Sequence, residues 1–356
     1  MQDRSASKAE AIVGCILGTA VGDAMGLPFE GLSRSRQLKL CPRLDGCRFV
    51  FGKGMTSDDT EHTCLLAQSL IVSAGQTDRF VSDFSRRLRF WLLGLPAGVG
   101  LATLKSVIKL WLSYSGADSG VRSAGNGPAM RSALIGVCFG HEPDRMRALV
   151  GASTRITHTD ERAEVGALAV ALAAHFSAEH EVSSRDYIAA LQAMLGPRDG
   201  EFLDLIERAA ASAAAGESSA DFARKIGCPH GVSGYIYHTV PVVLQTWMRH
   251  RDHYAQGIAE IIRCGGDTDT TAAILGAIVG AGVGRDGIPE SWLDGIREWP
   301  RTIPWMERLG RRLAEVCADR EARQALPLSV SGLFLRNFVF LLLVLAHGFR
   351  RVLPPY

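Results

Sequence analysis

Cys264-Gly265-Gly266-Asp267-Thr268-Asp269-Thr270-Thr271 packs two glycines, two carboxylates and three hydroxyls into eight residues. The glycines permit a tight turn and close backbone approach. Behind them runs Ala272-Ala273-Ile274-Leu275-Gly276-Ala277-Ile278-Val279-Gly280-Ala281, a small-residue apolar run. It reads as a buried helix beginning near Asp269. Asp and Thr oxygens at a helix start suit capping or a hard cation such as Mg2+. One other place looks alike: Ser57-Asp58-Asp59-Thr60, ahead of the apolar run Cys64 to Val72 in the opposite half of the chain.

Working outward, residues 8 to 26 read as a helix of small and apolar residues. Gly14, Gly18, Gly22 and Gly26 recur every fourth position, close to one helix face, and serve packing. Pro28 stops this helix and leaves Glu30 on a loop. Residues 33 to 56 read as loop plus a short strand at Arg48 to Phe51. Amphipathic helices are expected over 78–93 and 100–114, and helices over 144–156, 162–180, 186–195 and 201–216. Further helices are expected over 240–249, 254–264 and within 291–318, with Trp292, Trp299 and Trp305 as packing anchors. A Gly/Ser-rich loop at 115–128 opens a helix at Pro128, and such a start offers amides to a phosphate. Gly227 to Gly234 reads as a turn-rich loop.

Almost nothing alternates with period two and no βαβ rhythm is present. The expectation is an all-α fold, one domain over residues 1–326, with an apolar tail helix over 327–356. With 47% hydrophobic and 21% charged residues the chain is globular and not disordered. Thirty-nine basic against 37 acidic residues give no reason to expect nucleic-acid backbone binding. The eight cysteines form no CxxC pair, which reads as reduced core residues and a cytoplasmic location. Lys8 and Glu10 precede the first apolar run and no cleavage pattern follows, so no signal peptide is expected. In the tail, the unbroken apolar run Phe338 to Ala346 is nine residues, too short to cross a bilayer. It reads as a helix buried against protein, either the body of this chain or another subunit; an interfacial membrane helix is the second reading.

Asp58, Asp59, Asp267 and Asp269 can converge only if something neutralises them. Hard oxygen ligands point to Mg2+, Mn2+ or Ca2+ and not zinc. Against this, each cluster alone could simply cap its helix. Glu30 is either solvated or catalytic, His158 either a packed residue or a ligand contact, and Ser123 to Gly127 either a turn or a phosphate loop. No GxSxG elbow, P-loop or GxGxxG fingerprint occurs.

Taken together the motifs resemble the ADP-ribosylglycohydrolase family. The match runs from about residue 9 to about 318. It carries Gly14-Cys15-Ile16-Leu17-Gly18, Gly22-Asp23-Ala24-Met25-Gly26, Glu30, Ser57-Asp58-Asp59-Thr60 and Gly125-Asn126-Gly127 with Met130-Arg131. Thr157-His158 and Gly265-Gly266-Asp267-Thr268-Asp269-Thr270 complete it, all in the family's order. The resemblance implies a site for two Mg2+ or Mn2+ ions, with Ser57, Asp58, Asp59, Asp267, Asp269 and Thr270 as ligands. It implies catalytic roles for Glu30, Asp59 and Asp269, and substrate contacts from Ser123, Gly125, Asn126, Gly127 and His158. The implied reaction is hydrolysis of an ADP-ribosyl bond on a modified protein or small molecule. Ala124 departs from an aromatic residue of some serine-specific members, and the tail lies outside the pattern. Two other readings stay open: a non-catalytic ADP-ribose-binding or crystallin-like protein, and a metal-dependent nucleotide phosphohydrolase.

Overall fold

The computed structural model describes residues 2–112, 115–116, 118–179, 183–196 and 199–352, with side chains from residue 8 to residue 350. Seventeen α-helices, numbered α1 to α17 in chain order, build it, with no strand among the described residues.

α1 (Gln2–Gly26) and α14 (Thr268–Val283) run antiparallel through the core. Their glycines make the contact possible. A Cβ on Gly18 would lie 2.0 Å from the Gly276 carbonyl oxygen, and one on Gly22 2.0 Å from that of Ala272. The stretch Lys8–Phe29 is long and apolar enough to cross a membrane, yet 94% of it is buried inside the protein. Antiparallel pairing sets the end of α1 beside the start of α14, where the Thr268 hydroxyl donates to the Gly26 carbonyl (2.9 Å).

α3 (Asp58–Ser73) docks at the same end through Asp23, a fully buried carboxylate of α1. Asp23 accepts from the amides of Ser57 (2.8 Å) and Thr60 (3.2 Å) and from the Thr60 hydroxyl (2.5 Å). A buried carboxylate demands such donors. This contact is how two clusters from opposite halves of the chain come to share one place. α6 (Ala129–Phe139) and α8 (Glu161–Ala178) form a second close pair, and α16 (Ile303–Asp319) crosses α1 where Gly310 meets Val13.

The expected helices are present as α4 (Thr77–Leu93), α5 (Leu101–Trp111), α7 (Pro143–Arg155), α8, α9 (Ser184–Leu195) and α10 (Gly200–Ala214). Residues 113, 114, 117, 180 and 353–356, over which the expected helices, loop and tail extended, lie outside the described residues. The helix expected from Val240 starts earlier, as α12 (Ile236–Arg249), with Pro241 inside it. The strand expected at Arg48 to Phe51 is absent. Val50 and Lys53 instead exchange two backbone hydrogen bonds (3.0 and 2.8 Å) across Phe51 and Gly52, both at positive φ. That is a tight turn with no ladder to extend it.

The tail needs the larger correction. It forms α17 (Val330–Val352), whose stretch Val330–Arg350 is long and apolar enough to cross a membrane, not a nine-residue segment. Burial against the body of this chain does not hold for most of it, since only 17% of it is buried inside the chain. One stripe is buried, built on Arg336, Asn337 and Phe340, and Phe340 packs on Phe49 and Met55. Phe338, Leu342 and Leu345 face outward, each at least half exposed. The reason is that Arg336 ion pairs and the Phe340 stripe anchor one side of the helix and leave the rest of its apolar run uncovered.

Candidate active site

A cleft of about 670 Å³ opens where α1, α3 and α14 meet. Glu30, Asp58, Asp267, Asp269, Thr270, Ser123, Gly125, Asn126, Gly127 and His158 all line it. Ser57 and Asp59 sit directly behind. The Asp59 Oδ2 accepts from the Ser57 hydroxyl (3.1 Å) and from the Thr270 hydroxyl (3.2 Å). One hydrogen bond thus joins the two acidic clusters.

The two clusters begin their helices differently. Ser57 is a true N-cap, its Oγ accepting from the Asp59 amide (3.3 Å). Asp267 holds the cap position of α14 but makes no cap bond. Its Oδ2 accepts instead from the Asn126 side chain (2.7 Å), which also donates to the Thr239 hydroxyl (3.1 Å). The Gly265-Gly266 turn is wedged between two loops. Gly31 donates to the Gly266 carbonyl (2.8 Å), Val232 to that of Gly265 (2.9 Å), and Asp267 to that of Val232 (2.8 Å). Gly266 has φ +82°, and a Cβ there would lie 2.1 Å from the Val232 oxygen.

The electrostatics explain what such a site wants. Burial, and then the neighbouring carboxylates, push Asp58, Asp59 and Asp269 well above the ordinary carboxylate range. For Asp269 those neighbours are Asp267, Glu30 and Asp59. The Oδ1 atoms of Asp59 and Asp269 are buried and have no hydrogen-bond partner. An unpaired buried carboxylate oxygen is costly, and a bound divalent cation removes that cost. Four carboxylates with two hydroxyls, and no His or Cys among them, fit Mg2+ or Mn2+. Glu30 is exposed at the rim, just beyond the short turn Leu27–Phe29 that follows α1.

The opposite wall is a polar cradle. The His158 ring lies against Gly125 and Gly127, where added Cβ atoms would come within 3.2 Å of its Nε2 and 3.1 Å of its Cε1. Burial, then the charge of Arg131, lowers the His158 pKa to about 3, so its imidazole is neutral. Arg131 is itself buried and stitches this wall together. It donates to the Gly127 carbonyl (3.1 Å), the Ser153 carbonyl (2.9 Å) and the Thr157 hydroxyl (2.8 Å). The loop differs from the expectation of open amides. Asn126 donates its backbone N–H to the Gly234 carbonyl (2.9 Å), and Gly125 donates to the Ser123 hydroxyl (3.3 Å).

Sequence reasoning missed several contributors. Asp23 and Arg131 were noted only as parts of motifs, although a lone charge within an apolar helix signals a buried partner. Thr103 and His230 also line the cleft, without any motif to mark them. Arg336 of α17 lies just ahead of the apolar run Phe338 to Ala346, with no motif to mark it. It is 1% exposed and donates to Glu298 (2.7 and 2.8 Å), Glu61 (3.2 Å) and the Thr56 carbonyl (2.5 Å). Glu298 in turn accepts from the Thr56 amide (3.2 Å) and hydroxyl (3.0 Å). The tail helix therefore grips the residue that leads into Ser57-Asp58-Asp59.

The chain is similar to known proteins over most of its length. The ADP-ribosylglycohydrolase family model matches residues 4–323. The chain is 28% identical to the ADP-ribosyl-dinitrogen reductase glycohydrolase of Rhodospirillum rubrum, over 79% of this chain and 88% of that protein. It is 25% identical to the ADP-ribosylhydrolase ARH3 of Gallus gallus, over 78% and 87% respectively. A solved ADP-ribosylglycohydrolase-related protein complex shares the fold at a TM-score of 0.64 and 23% identity, covering 87% of this chain and 99% of that one. With the all-α fold and nearly its whole length matched, this chain belongs to the ADP-ribosylglycohydrolase family.

Proposed function

We propose that the cleft hydrolyses an ADP-ribosyl bond, on a modified protein or small molecule, with two Mg2+ or Mn2+ ions held by its acidic clusters. The observation that carries this reading is the pair of orphaned buried oxygens, Asp59 Oδ1 and Asp269 Oδ1, in clusters that a hydrogen bond from Thr270 to Asp59 draws together. Family membership supports the ADP-ribosyl linkage as the bond attacked. Ser57, Asp58, Asp59, Asp267, Asp269 and Thr270 would hold the ions. When bound, such ions supply an activated water and offset charge developing beside the anomeric carbon.

The chain's own residues supply the rest. Neutral His158 presents an uncharged polar contact to the substrate beside Gly125 and Gly127. Asn126 fixes Asp267 and ties this wall to the acidic one. Glu30, exposed at the rim and within electrostatic reach of Asp269, is placed to transfer a proton to the leaving group or from water. Asp59 and Asp269 orient the attacking side of the site.

Free ADP-ribose with Mg2+ tests the binding half of this proposal. It should raise the melting temperature in proportion to occupancy, because it binds only the folded state. Glu30→Gln should retain that shift and lose turnover. If millimolar ADP-ribose with Mg2+ leaves the melting temperature unchanged, the cleft is not an ADP-ribose site.

A further inference from the structure

Far from the cleft, three metal-ligating side chains converge on one spot. His141 lies in the turn between α6 and α7, while His175 and Glu179 sit four residues apart at the end of α8. Residues at i and i+4 share a helix face. The His141 Nε2 is 3.2 Å from the Glu179 Oε1, and the two imidazoles meet edge to face at 4.8 Å between centroids. One ligand atom from each of the three residues lies within 4.8 Å of the others. Donors about 2.0–2.1 Å from a tetrahedral zinc ion stand roughly 3.3 Å apart. The His141–Glu179 pair already has that spacing, and the His175 ligand atom stands within 4.8 Å of both.

Two further observations show the site is held in place. Gly140, next to His141, gives His175 its room: a Cβ there would lie 2.2 Å from the His175 Cγ. The His175 ring also packs edge-on against Phe176 (5.8 Å).

We propose that His141, His175 and Glu179 form a second metal site, for Zn2+ or another first-row transition ion, that staples the α6–α7 turn to the end of α8. Two nitrogens and one carboxylate leave a fourth position for water and favour such ions over Mg2+ or Ca2+. This donor set differs in kind from the all-oxygen cleft. It also lies at the other end of the same helix pair. Asn126 and Gly127 precede α6 and His158 precedes α8, whereas the three ligands follow α6 and end α8. The α6–α8 contact between them is tight, since a Cβ on Gly136 would lie 1.7 Å from the Ala171 oxygen. A metal at the free end would hold this pair in register.

The test uses the full chain in saturating Mg2+, so that oxygen sites are filled, with Zn2+ titrated by calorimetry and Co2+ followed by visible absorption. The wild type should bind one Zn2+ per chain and give a tetrahedral Co2+ spectrum, with a melting temperature that rises with zinc. His141→Ala and Glu179→Gln, both exposed positions, should fold normally and weaken zinc binding more than about tenfold. An Asp59→Asn, Asp269→Asn double variant should retain the zinc event. Equal zinc binding in wild type, His141→Ala and Glu179→Gln would overturn the proposal. So would loss of the event in the double aspartate variant, or no zinc binding at all.

Discussion

At the scale of single residues, the acidic clusters were legible because doubled carboxylates among hydroxyls have few purposes. Their partners were not. Asp23, Asn126 and Arg131 act through contacts across the fold, which no local pattern records. The Gly265-Gly266 turn gives the sharpest residue-level expectation. Gly266→Ala must place a Cβ against the Val232 carbonyl at φ +82°, so it should cost about 2 kcal/mol or more, read as a lowered melting temperature. It should also weaken Mg2+ binding, since Asp267 is the next residue. Arg131→Met should behave differently. It leaves the acidic side intact but frees Gly127, Ser153 and Thr157, so calorimetry should find ADP-ribose affinity reduced while Mg2+ affinity holds.

At the scale of elements, helical periodicity was strong enough to place α4, α7, α8, α9 and α10 to within a few residues. The strand at Arg48 to Phe51 failed because four residues with a tight turn have nothing to pair with. The tail failed for a different reason. An apolar run shows that a helix exists, but not which side is covered, and the residue that docks it is a charge. Arg336 is buried between Glu298 and Glu61; Glu61 keeps Arg301 (2.7 Å) as a partner, so removing Arg336 leaves Glu298 as a buried carboxylate with no cation against it. Arg336→Met should therefore cost about 3 kcal/mol, and the double variant Phe338→Gln, Leu342→Gln should cost almost nothing. Thermal unfolding of both variants decides this. Equal losses would mean that the apolar run, not the arginine, docks the helix.

At the scale of the whole molecule, the all-α class followed from periodicity alone, and the meeting of two distant clusters follows from the α1–α14 glycine contact. Acid stability also belongs to this scale, because one partly buried network ties α12, α13 (Tyr254–Ile262) and the start of α11 (Ser219–Lys225). Burial alone would raise the Glu260 pKa. Hydrogen bonds from His250 and Ser219, and the charge of Arg249, outweigh it and hold Glu260 at about 2. A carboxylate depressed in the folded state contributes stability that is fully present above its unfolded value, about 4.3. That contribution is lost as pH falls toward 2. Glu260→Gln should therefore lower stability at pH 7 and flatten the stability curve between pH 5 and about 2, measured by urea unfolding. The central claim, that the two acidic clusters form one cation-dependent site for cleaving ADP-ribosyl bonds, is tested most directly by product analysis. Purified protein is mixed with ADP-ribosylated arginine, serine and acetyl-ester substrates, with Mg2+ or Mn2+, with EDTA, and as Asp269→Asn. The account predicts release of free ADP-ribose from at least one acceptor, abolished by EDTA and by Asp269→Asn, with no inorganic phosphate formed. Release that survives EDTA, phosphate in place of ADP-ribose, or no cleavage of any acceptor would contradict it.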